Sequence, residues 1–349
     1  MGIKRYTAFA DTTITNAFKA NMTSHATGSN MGAADSMEIF HIYGQAQGTS
    51  SENSRLLVKF PTDNITSDRS GGSLPASGNV SFYLRMFNAV HPFTVPTNFT
   101  LMVKAISRNW DEGTGIDADS YTDYGYANWT AAQSQSSGVT AWTAPGGDYQ
   151  TSLVYSTNFI DGTEDLEVDI TGMVEYWLAD TYTNYGVGVM LSSSHEVASS
   201  SYYSKKFFAR SSQYFYKRPV IEARWDSADK DDRANFFYSS SLAEADDNKN
   251  TLFLYNYVRG QLKNLPQVSA SHGEAGGTGS VYVHMYSGSA DNSQPATNSL
   301  IQVSVSDEMS SSTPATGSWV STGVYSVDVC MTAASTPVNR LFDVWCTGE

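Results

Sequence analysis

Aromatic side chains crowd one stretch of the chain, between residues 121 and 149. They are Tyr121, Tyr124, Tyr126, Trp129, Trp142 and Tyr149. Exposed rings of this kind stack on the faces of sugars, whereas rings that pack together fill the end of a β-sandwich. We expect core filling. The alternative is a glycan-binding platform made of Trp129, Trp142, Tyr124, Tyr126 and Tyr149.

Neighbouring carboxylates recur at residues 111–112, 164–165 and 246–247. A glycosidase needs two carboxyl groups that face each other across a cleft, but acidic surface loops explain these pairs at least as well. A calcium ion could be bound by carboxylates and carbonyls near Asp161 to Asp165, although no loop has the ligand spacing of an EF-hand. Apart from this weak calcium candidate, no cofactor is expected.

The sequence contains no recognisable catalytic motif. Ser194, His195 and Glu196 have suitable side chains, but consecutive residues of a strand point to opposite faces and cannot form a triad. We predict a polar hairpin tip there. The run from Gly276 to Gly279 lacks the lysine of a phosphate-binding loop, and the six histidines form no zinc motif. We therefore expect a protein that is not an enzyme.

The charge balance argues against nucleic acid as a partner. The chain has 21 basic and 35 acidic side chains, a formal net charge of -14 and a pI of about 4.7. Such a surface repels phosphate groups. Basic residues cluster in one region, where we predict a solvated strand edge. The cluster comprises Lys205, Lys206, Arg210, Lys217 and Arg218.

Neither membrane insertion nor export is predicted. No window reaches the roughly 18 uncharged apolar residues of a membrane helix. The opening MGIKRYTAFADTTI has no long apolar core after its basic residues, so no secretory signal is expected. Cys330 and Cys346 lie in strand-like segments and could meet on adjacent strands. For a protein assembled in reducing cytoplasm, we expect a small buried thiol instead.

The segment 165–191, DLEVDITGMVEYWLADTYTNYGVGVML, changes its hydrophobic period twice. Apolar and acidic residues alternate in DLEVDI, as in a strand. Thr171 is then expected to cap a short helix. The apolar face of this helix comprises Met173, Val174, Trp177 and Leu178. The turn at Asn184-Tyr185-Gly186 leads to a second strand, so the segment predicts one helix laid across the end of a sandwich.

Short alternating runs separated by Gly, Pro, Asn and Ser continue to about residue 225, a pattern typical of all-β proteins. We predict a jelly-roll-like β-sandwich with one short helix over residues 1–225. Long loops separate some of its strands and are candidates for binding surfaces or contacts within an assembly. They are residues 44–53, 62–78 and 111–126.

An acidic run, DSADKDDR, follows Trp225 and predicts a linker over residues 226–235. Residues 236–349 repeat the strand pattern on a smaller scale, and we predict an immunoglobulin-like β-sandwich there. Its expected strands are 251–258, 280–286, 300–305, 324–329 and 340–345. Residues 269–279 and 310–316 are low in complexity, and the first of these segments is expected to be flexible.

Several segments of the first domain resemble the DNRLRE family of β-sandwich domains, which are similar to carbohydrate-binding modules. They are DTTITNAF (11–18), SRLLVKF (54–60), VSFYLRMF (80–87), SRNWDEGTG (107–115), the stretch 128–149, the segment 165–191 and KRPVIEARW (217–225). This resemblance implies a sandwich over roughly residues 8 to 225. The acidic linker, the appended second domain and the missing signal peptide depart from that family.

With these departures, the chain resembles virion structural proteins of tailed phages of marine bacteria, including cyanophages. The segments that carry the resemblance are RYTAFADTTITNAF (5–18), the stretches 205–227 and 250–266, and the closing VSTGVYSVDV and LFDVW. It implies a virion protein, assembled in the host cytoplasm, that binds other virion proteins and is present in several copies or as a homo-oligomer. It supplies no catalytic residues. A glycan-binding module remains the alternative.

Overall fold

The computed structural model describes residues 2–90, 96–227, 230–244, 246–266, 280–287, 301–303, 315–331 and 340–347. The chain divides into two compact units, Met1–Ser227 and Ala228–Glu349. Antiparallel strands build both units, so the all-β prediction is confirmed. In the described ranges, no helix is both long and apolar enough to cross a membrane.

The first unit contains strands β1 to β13 and short α-helices. The strands are β1 (Gly2–Thr7), β2 (Ala10–Thr15), β3 (Ser36–Tyr43), β4 (Ser51–Lys59), β5 (Ser81–Met86), β6 (Phe99–Ile106), β7 (Ala131–Gln135), β8 (Gly138–Ala141), β9 (Tyr149–Phe159), β10 (Leu166–Asp169), β11 (Val187–Leu191), β12 (Tyr202–Phe208) and β13 (Val220–Trp225). The helices are α1 (Thr62–Ser70), α2 (Thr171–Leu178) and α3 (Ser193–Glu196).

Two antiparallel sheets of the first unit share one hydrophobic core. One has the strand order β1-β13-β5-β10, and the other runs β12-β3-β4-β11-β6-β9, with β2 also paired to β4. Side chains alternate in β5, where Phe82 and Leu84 are buried and their neighbours are half-buried. They share this core with Leu56 and Val103 of the other sheet. Since each such side chain contributes about 1.5–3 kcal/mol when fully buried, the period-2 pattern determines which face turns inward.

The predicted strand, helix and strand are present as β10, α2 and β11. The buried face of α2 comprises Met173, Val174 and Trp177. Thr171 is the first residue of the helix rather than its cap. Its hydroxyl donates a hydrogen bond to Asp169 Oδ1 (2.6 Å) and accepts one from the backbone N–H of Phe82 (2.8 Å). Thr171 therefore ties the start of α2 to β5.

The turn before β11 requires glycine. Gly186 has a φ of 90°, and a Cβ there would lie 2.2 Å from the carbonyl oxygen of Val58. The Asn184 side chain accepts a hydrogen bond from Gly186 N–H (2.9 Å) and donates one to the Phe60 carbonyl (2.8 Å). The Asn-Tyr-Gly turn thus packs directly against β4.

Residues 62–70 form helix α1, so the prediction of a loop over residues 62–78 was wrong, as was that of a single short helix. Its sequence, TDNITSDRS, buries only Ile65, and an isolated buried residue leaves no helical period to detect. Tertiary contacts stabilise the helix instead. Arg69 forms two hydrogen bonds with the carboxylate of Glu175 in α2 (2.9 and 2.6 Å), and Asp68 accepts one from the hydroxyl of Tyr6 (2.8 Å).

The described strands of the second unit form an antiparallel sheet and a hairpin. They are β14 (Asn250–Tyr255), β15 (Tyr257–Val258), β16 (Gln261–Leu262), β17 (Val281–Ser287), β18 (Ile301–Val303), β19 (Ala315–Ser321), β20 (Val324–Val329) and β21 (Leu341–Cys346). The sheet has the order β14-β20-β19-β17-β18, with β21 also paired to β17, and β15 pairs with β16. Strand β19 was not predicted, and residues 269–279 lie outside the described residues.

Among the described strands, those of Cys330 and Cys346 are not adjacent, contrary to one expectation. Cys330 follows β20, which pairs with β14 and β19, whereas Cys346 ends β21, which pairs with β17. Cys330 is a buried free thiol. The strand order, which the sequence does not reveal, separates the two residues.

The end of the predicted linker belongs to the second unit. Residues Asp232–Asn235 form a 3₁₀ helix, and Asp232 Oδ2 accepts a hydrogen bond from the backbone N–H of Thr251 in β14 (2.9 Å). Asp232 is buried, although it belongs to an acidic run. The carboxylate therefore satisfies a backbone donor of the first strand of the sheet.

Candidate contact surfaces

Half of the six aromatic residues between 121 and 149 belong to a second hydrophobic core in the first unit or pack against it, namely Trp129, Trp142 and Tyr149. Trp129 and Trp142 are 8% and 5% exposed and pack with Trp110. Their indole groups have internal partners: Trp142 Nε1 donates to the Asn128 carbonyl (2.8 Å), and Trp110 Nε1 donates to the Tyr185 carbonyl (2.9 Å). These are the positions of core side chains, and neither tryptophan presents a free ring face.

The guanidinium of Arg55 lies over this cluster. It is 5.2 Å from the ring centroid of Trp129 and 5.9 Å from that of Tyr149. Tyr149 packs against the second core, and its hydroxyl donates to the Gly146 carbonyl (2.8 Å). Burial raises the pKa of the Tyr149 hydroxyl to about 12. Arg55 thus occupies the space beside Trp129 that a stacked sugar would need.

Tyr124 and Tyr126 differ from the other residues suggested for glycan stacking. Tyr124 is 61% exposed, and the ammonium of Lys19 contacts its hydroxyl and lies 4.5 Å from its ring centroid. Tyr126 is half-buried and has left-handed backbone geometry, with a φ of 50°. The structure therefore does not bring the five residues together as one exposed platform.

The predicted loop at residues 111–126 is held in place by side chains from elsewhere in the first unit. Arg210 forms a two-contact ion pair with Glu112 (both 2.5 Å). The Asn30 amide donates to the carbonyls of Glu112 (2.8 Å) and Ala127 (2.9 Å) and accepts from the Gly115 N–H (3.0 Å). The loop predicted at residues 44–53 is shorter than expected, because β4 begins at Ser51, and residues 44–50 form a turn closed by a hydrogen bond from the Gly44 N–H to the Ser50 carbonyl (2.8 Å).

Part of this loop exposes an acidic and apolar surface. We call residues 116–123, IDADSYTD, the acidic-apolar loop. Ile116 is 69% exposed. Asp117 accepts hydrogen bonds from Thr122 Oγ1 (2.6 Å) and from the Ser120 and Asp119 N–H groups, and these hydrogen bonds hold the pKa of its carboxyl well below its usual range. Among the described residues, no cation forms an ion pair with the loop's three aspartates.

The basic cluster predicted as a solvated strand edge contains a buried lysine, so that prediction was wrong at Lys205. Lys205 is 2% exposed. Its ammonium donates to Asn88 Oδ1 (2.7 Å) and to the carbonyls of Gly162 (3.0 Å) and Glu164 (2.5 Å). Burial lowers the pKa of the ammonium to about 8.

The same lysine occupies the loop considered for calcium, residues 161–165. Its ammonium uses carbonyl oxygens that a calcium ion would need as ligands. The carboxylates of this loop accept backbone hydrogen bonds: Glu164 from Ile160 and Asp161 (both 2.7 Å), and Asp165 from Asn88 (2.8 Å). Across the described ranges, no group of three or more His, Cys, Asp or Glu side chains is arranged to hold a metal ion.

Residues 193–196 form helix α3, so the predicted hairpin tip was wrong. His195 Nδ1 lies 2.5 Å from Ser192 Oγ, while the Glu196 carboxylate pairs with Arg55. The Glu196 carboxylate therefore already has Arg55 as its ion-pair partner. The neighbouring carboxylates Asp111 and Glu112 also have separate partners, since Asp111 accepts from Gln133 and Glu112 pairs with Arg210.

A more exposed surface lies just before β13. We call residues 214–218, YFYKR, the aromatic-basic segment. Tyr214, Phe215 and Tyr216 are 54%, 58% and 82% exposed. In the sequence, this surface corresponds to a run of three aromatic residues followed by two cations. A search for alternating apolar and polar residues does not detect such a run.

The aromatic-basic segment is nevertheless ordered. Residues Phe215–Lys217 form a 3₁₀ helix, and the Arg218 Nε donates to the carbonyl of the buried Ser212 (2.9 Å). The Arg218 guanidinium lies 5.4 Å from the Phe215 ring centroid, and the Lys217 ammonium lies 5.1 Å from that of Phe208. Within the residues that the structure describes, neither cation pairs with a carboxylate.

A shallow groove of about 910 Å³ opens beside β5 and β13. Its walls include Asn79, Ser81, Tyr83, Arg224 and Trp225. The Arg224 guanidinium lies 4.2 Å from the Tyr83 ring centroid and binds both oxygens of Glu167 (2.8 and 2.9 Å). Aromatic rings beside polar groups give this groove a lining that suits a sugar.

Neither a scan of protein-family models nor a search of curated proteins finds a match to this chain.

Proposed function

We propose that this chain is a non-enzymatic structural protein of a tailed-phage particle. In this proposal it is an accessory or decoration component of the head, neck or tail, and it acts through protein–protein contacts. The exposed aromatic-basic segment carries the contact part of the proposal. The assignment to a phage particle is supported by the resemblance of segments such as 205–227 and 250–266 to marine phage virion proteins.

The composition of the aromatic-basic segment supports a contact role. Tyrosine and arginine are enriched among the residues that dominate binding energy at protein interfaces. In this segment Tyr216 is 82% exposed and Arg218 has no carboxylate partner in the described part of the chain. Three consecutive exposed aromatic rings on a monomer are costly for solubility, so a covering partner explains them better than solvent does.

The ordered conformation of the aromatic-basic segment supports the same role. Binding costs conformational entropy for every side chain or loop that must be immobilised. The 3₁₀ helix, the Ser212 contact and the cation–π contacts already restrict residues 214–218 before any partner arrives. A β-sandwich that presents such a segment suits an assembly that must form without further folding.

Quantitative mass spectrometry of purified particles tests the proposal. We expect the chain at a fixed, multi-copy ratio to the major capsid protein after gradient purification, with other virion proteins cross-linked to Lys217. A host cytoplasmic protein of similar abundance in the lysate is the control for carry-over. Presence in the lysate together with loss from the particles during purification would contradict the proposal.

A second candidate is a carbohydrate-binding module, and the groove beside Tyr83 and Trp225 is the observation that favours it. Binding to a glycan array that is lost in Tyr83→Ala, with folding intact, would support this candidate. Tyr124→Ala is a matched control at an exposed tyrosine that lies outside the groove. If the wild-type protein binds no glycan and is present on particles, the glycan-binding candidate is contradicted and only the structural role remains.

A further inference from the structure

Residues that precede the aromatic-basic segment and residues that flank the acidic-apolar loop both bond to residues 30–35 of the first unit. The Ala33 N–H donates to the Gly115 carbonyl (2.8 Å), one residue before the acidic-apolar loop. The Ala209 N–H donates to the Asp35 carbonyl (3.0 Å), and Ser211 bonds to the Ala34 carbonyl. The bases of the basic and the acidic segment are therefore attached to the same short stretch of the first unit, and we call the two segments together the surface region.

The Arg210–Glu112 ion pair joins the residues that precede the two segments. Its two contacts of 2.5 Å link the residues that lead into the aromatic-basic segment with those that lead into the acidic-apolar loop. Glu112 Oε1 also accepts a hydrogen bond from the Asp11 N–H (2.8 Å), which ties the pair to β2. The ion pair therefore fixes Arg210, which precedes the aromatic-basic segment, relative to Glu112, which precedes the acidic-apolar loop.

We propose that this region pairs with the same region of a second copy of the chain. In this dimer the aromatic-basic segment of each copy contacts the acidic-apolar loop of the other. The inference rests on the proposed contact role and names the partner. A twofold axis generates both contacts at once, since in such an interface one residue meets a second and the second meets the first.

Charge complementarity favours a second copy as the partner, because the described part of the chain itself carries both unpaired cations and unpaired carboxylates. Two chains of net charge -14 repel each other over most of their surfaces. Contact is favoured where unlike charges meet, and Lys217 and Arg218 are cations without carboxylate partners among the described residues. The acidic-apolar loop supplies carboxylates without cation partners in the same described part of the chain, together with the exposed Ile116 for apolar contact.

Of the three aspartates in the acidic-apolar loop, Asp119 has the carboxylate best placed to pair with a cation of the second copy. Asp117 and Asp123 use their oxygens to hold the loop: Asp117 accepts from Thr122, and Asp123 accepts from the Ile116 N–H (2.8 Å). Asp119 contributes its backbone N–H to the loop, while its carboxylate forms no hydrogen bond or ion pair with the other described residues. The opposing pair in the dimer is therefore Asp119 of one copy and Lys217 of the other.

Sedimentation velocity of the full chain over a range of concentrations tests the inference. We expect a reversible dimer, compared between variants at one fixed salt concentration, because salt screens both the repulsion between the two chains and the attraction at the contact. Lys217→Glu and Asp119→Lys should each weaken the dimer by about tenfold or more. Lys263→Glu, an equivalent change at an exposed lysine of the second unit, should leave it unchanged.

A mixture of the Lys217→Glu and Asp119→Lys variants gives the sharpest test. In the mixed dimer the two substituted side chains would face each other at one contact, with their charges exchanged. The original Lys217–Asp119 pair would remain at the other contact, so the mixture should regain nearly wild-type affinity. A chain that stays monomeric at every concentration, or a mixture as weak as each variant alone, would overturn the inference.

The aromatic contribution is tested by Tyr216→Ser, with Tyr257→Ser as a control at a similarly exposed tyrosine of the second unit. Only Tyr216→Ser should weaken the dimer. A basic aromatic segment could instead bind an anionic lipid surface. Flotation with phosphatidylglycerol vesicles, lost in Tyr216→Ser while the protein remains monomeric, would overturn the dimer.

The two proposals fail separately. A monomeric chain that is still found on purified particles overturns the dimer and leaves the structural role. A dimer of the expected behaviour that is absent from particles overturns the structural role and leaves the dimer.

Discussion

Arg55 and Glu196, 141 residues apart in the chain, form a two-contact ion pair with distances of 2.8 and 2.7 Å. Their side chains are only 19% and 12% exposed. Arg55 also donates to the Gly146 carbonyl (2.9 Å) and lies over Trp129. This one pair therefore connects β4, the Pro-Gly-Gly-Asp turn, α3 and the second hydrophobic core.

Glu196→Gln should destabilise the first unit by about 2–3 kcal/mol, because it leaves a largely buried guanidinium without its counter-charge. The free energy of unfolding in urea measures the effect. Lys4→Gln is the control, since it removes the more exposed Lys4–Asp68 ion pair and should cost about 1 kcal/mol or less. Equal losses for the two variants would contradict this account of Arg55.

Trp129→Ala should lower the free energy of unfolding by about 3–5 kcal/mol, because it empties part of the second core. Tyr124→Ala should cost less than about 1 kcal/mol, because its side chain is mostly exposed. Thermal unfolding distinguishes the two variants. A loss of glycan binding in Trp129→Ala would therefore report unfolding, whereas a loss in Tyr124→Ala would report a contact. A stable Trp129→Ala protein would contradict the core assignment.

Asp11 should make stability depend on pH. Burial raises the pKa of its carboxyl from 3.8 to about 7, with Glu112 adding to the rise, while a hydrogen bond from the Arg210 N–H opposes it. The folded state therefore binds this proton more tightly than the unfolded state. The stabilisation that Asp11 contributes is complete at low pH. It is lost as the pH rises from about 4 to 7, by at most about 1.4 kcal/mol per pH unit.

Asp11→Asn should remove this contribution to the pH slope. Urea unfolding of the wild-type and variant proteins across pH 4 to 7 measures the difference between their slopes. Asp63→Asn, at an exposed position of α1, is the control for a general change in charge. Parallel slopes for the wild type and Asp11→Asn would show that Asp11 does not titrate in this range.

Gly186→Ala should either prevent folding or lower the free energy of unfolding by about 3 kcal/mol or more. The new Cβ would meet the Val58 carbonyl oxygen at 2.2 Å in a left-handed backbone conformation. Gly48→Ala is the matched control, because nothing lies within 4 Å of its Cβ position. Soluble yield and thermal unfolding measure both variants. A normally stable Gly186→Ala protein would show that β11 can move away from β4.

Added calcium should not raise the melting temperature through residues 161–165, because two carbonyl oxygens of this loop already bond to the Lys205 ammonium. A bound ion would stabilise the folded state by mass action, but the Lys205 ammonium already bonds to the Gly162 and Glu164 carbonyls. Thermal unfolding with calcium chloride and with a chelator measures the effect. A calcium-dependent rise that becomes larger in Lys205→Gln would show that the ion and the ammonium compete for this loop.

Local periodicity predicted the elements that bury regular faces. In β10 and α2, the alternation in DLEVDI and the helical spacing of Met173, Val174 and Trp177 gave correct element types. Helix α1 could not be predicted in this way because only Ile65 is buried and its other contacts come from distant residues. Strand β19 was missed for a related reason, since two of its seven residues, Ala315 and Gly317, are buried and both are small.

The sequence by itself determined the all-β class and the acidic charge balance, because composition and short-range periodicity are properties of the chain alone. Only the tertiary structure decided that Trp129 and Trp142 are buried while Tyr216 is exposed, since aromatic rings differ in burial only through what packs against them. It also placed Lys205 inside a loop and paired Arg210, which precedes the aromatic-basic segment, with Glu112, which precedes the acidic-apolar loop. Those relationships depend on contacts between residues far apart in the chain, which periodicity cannot encode.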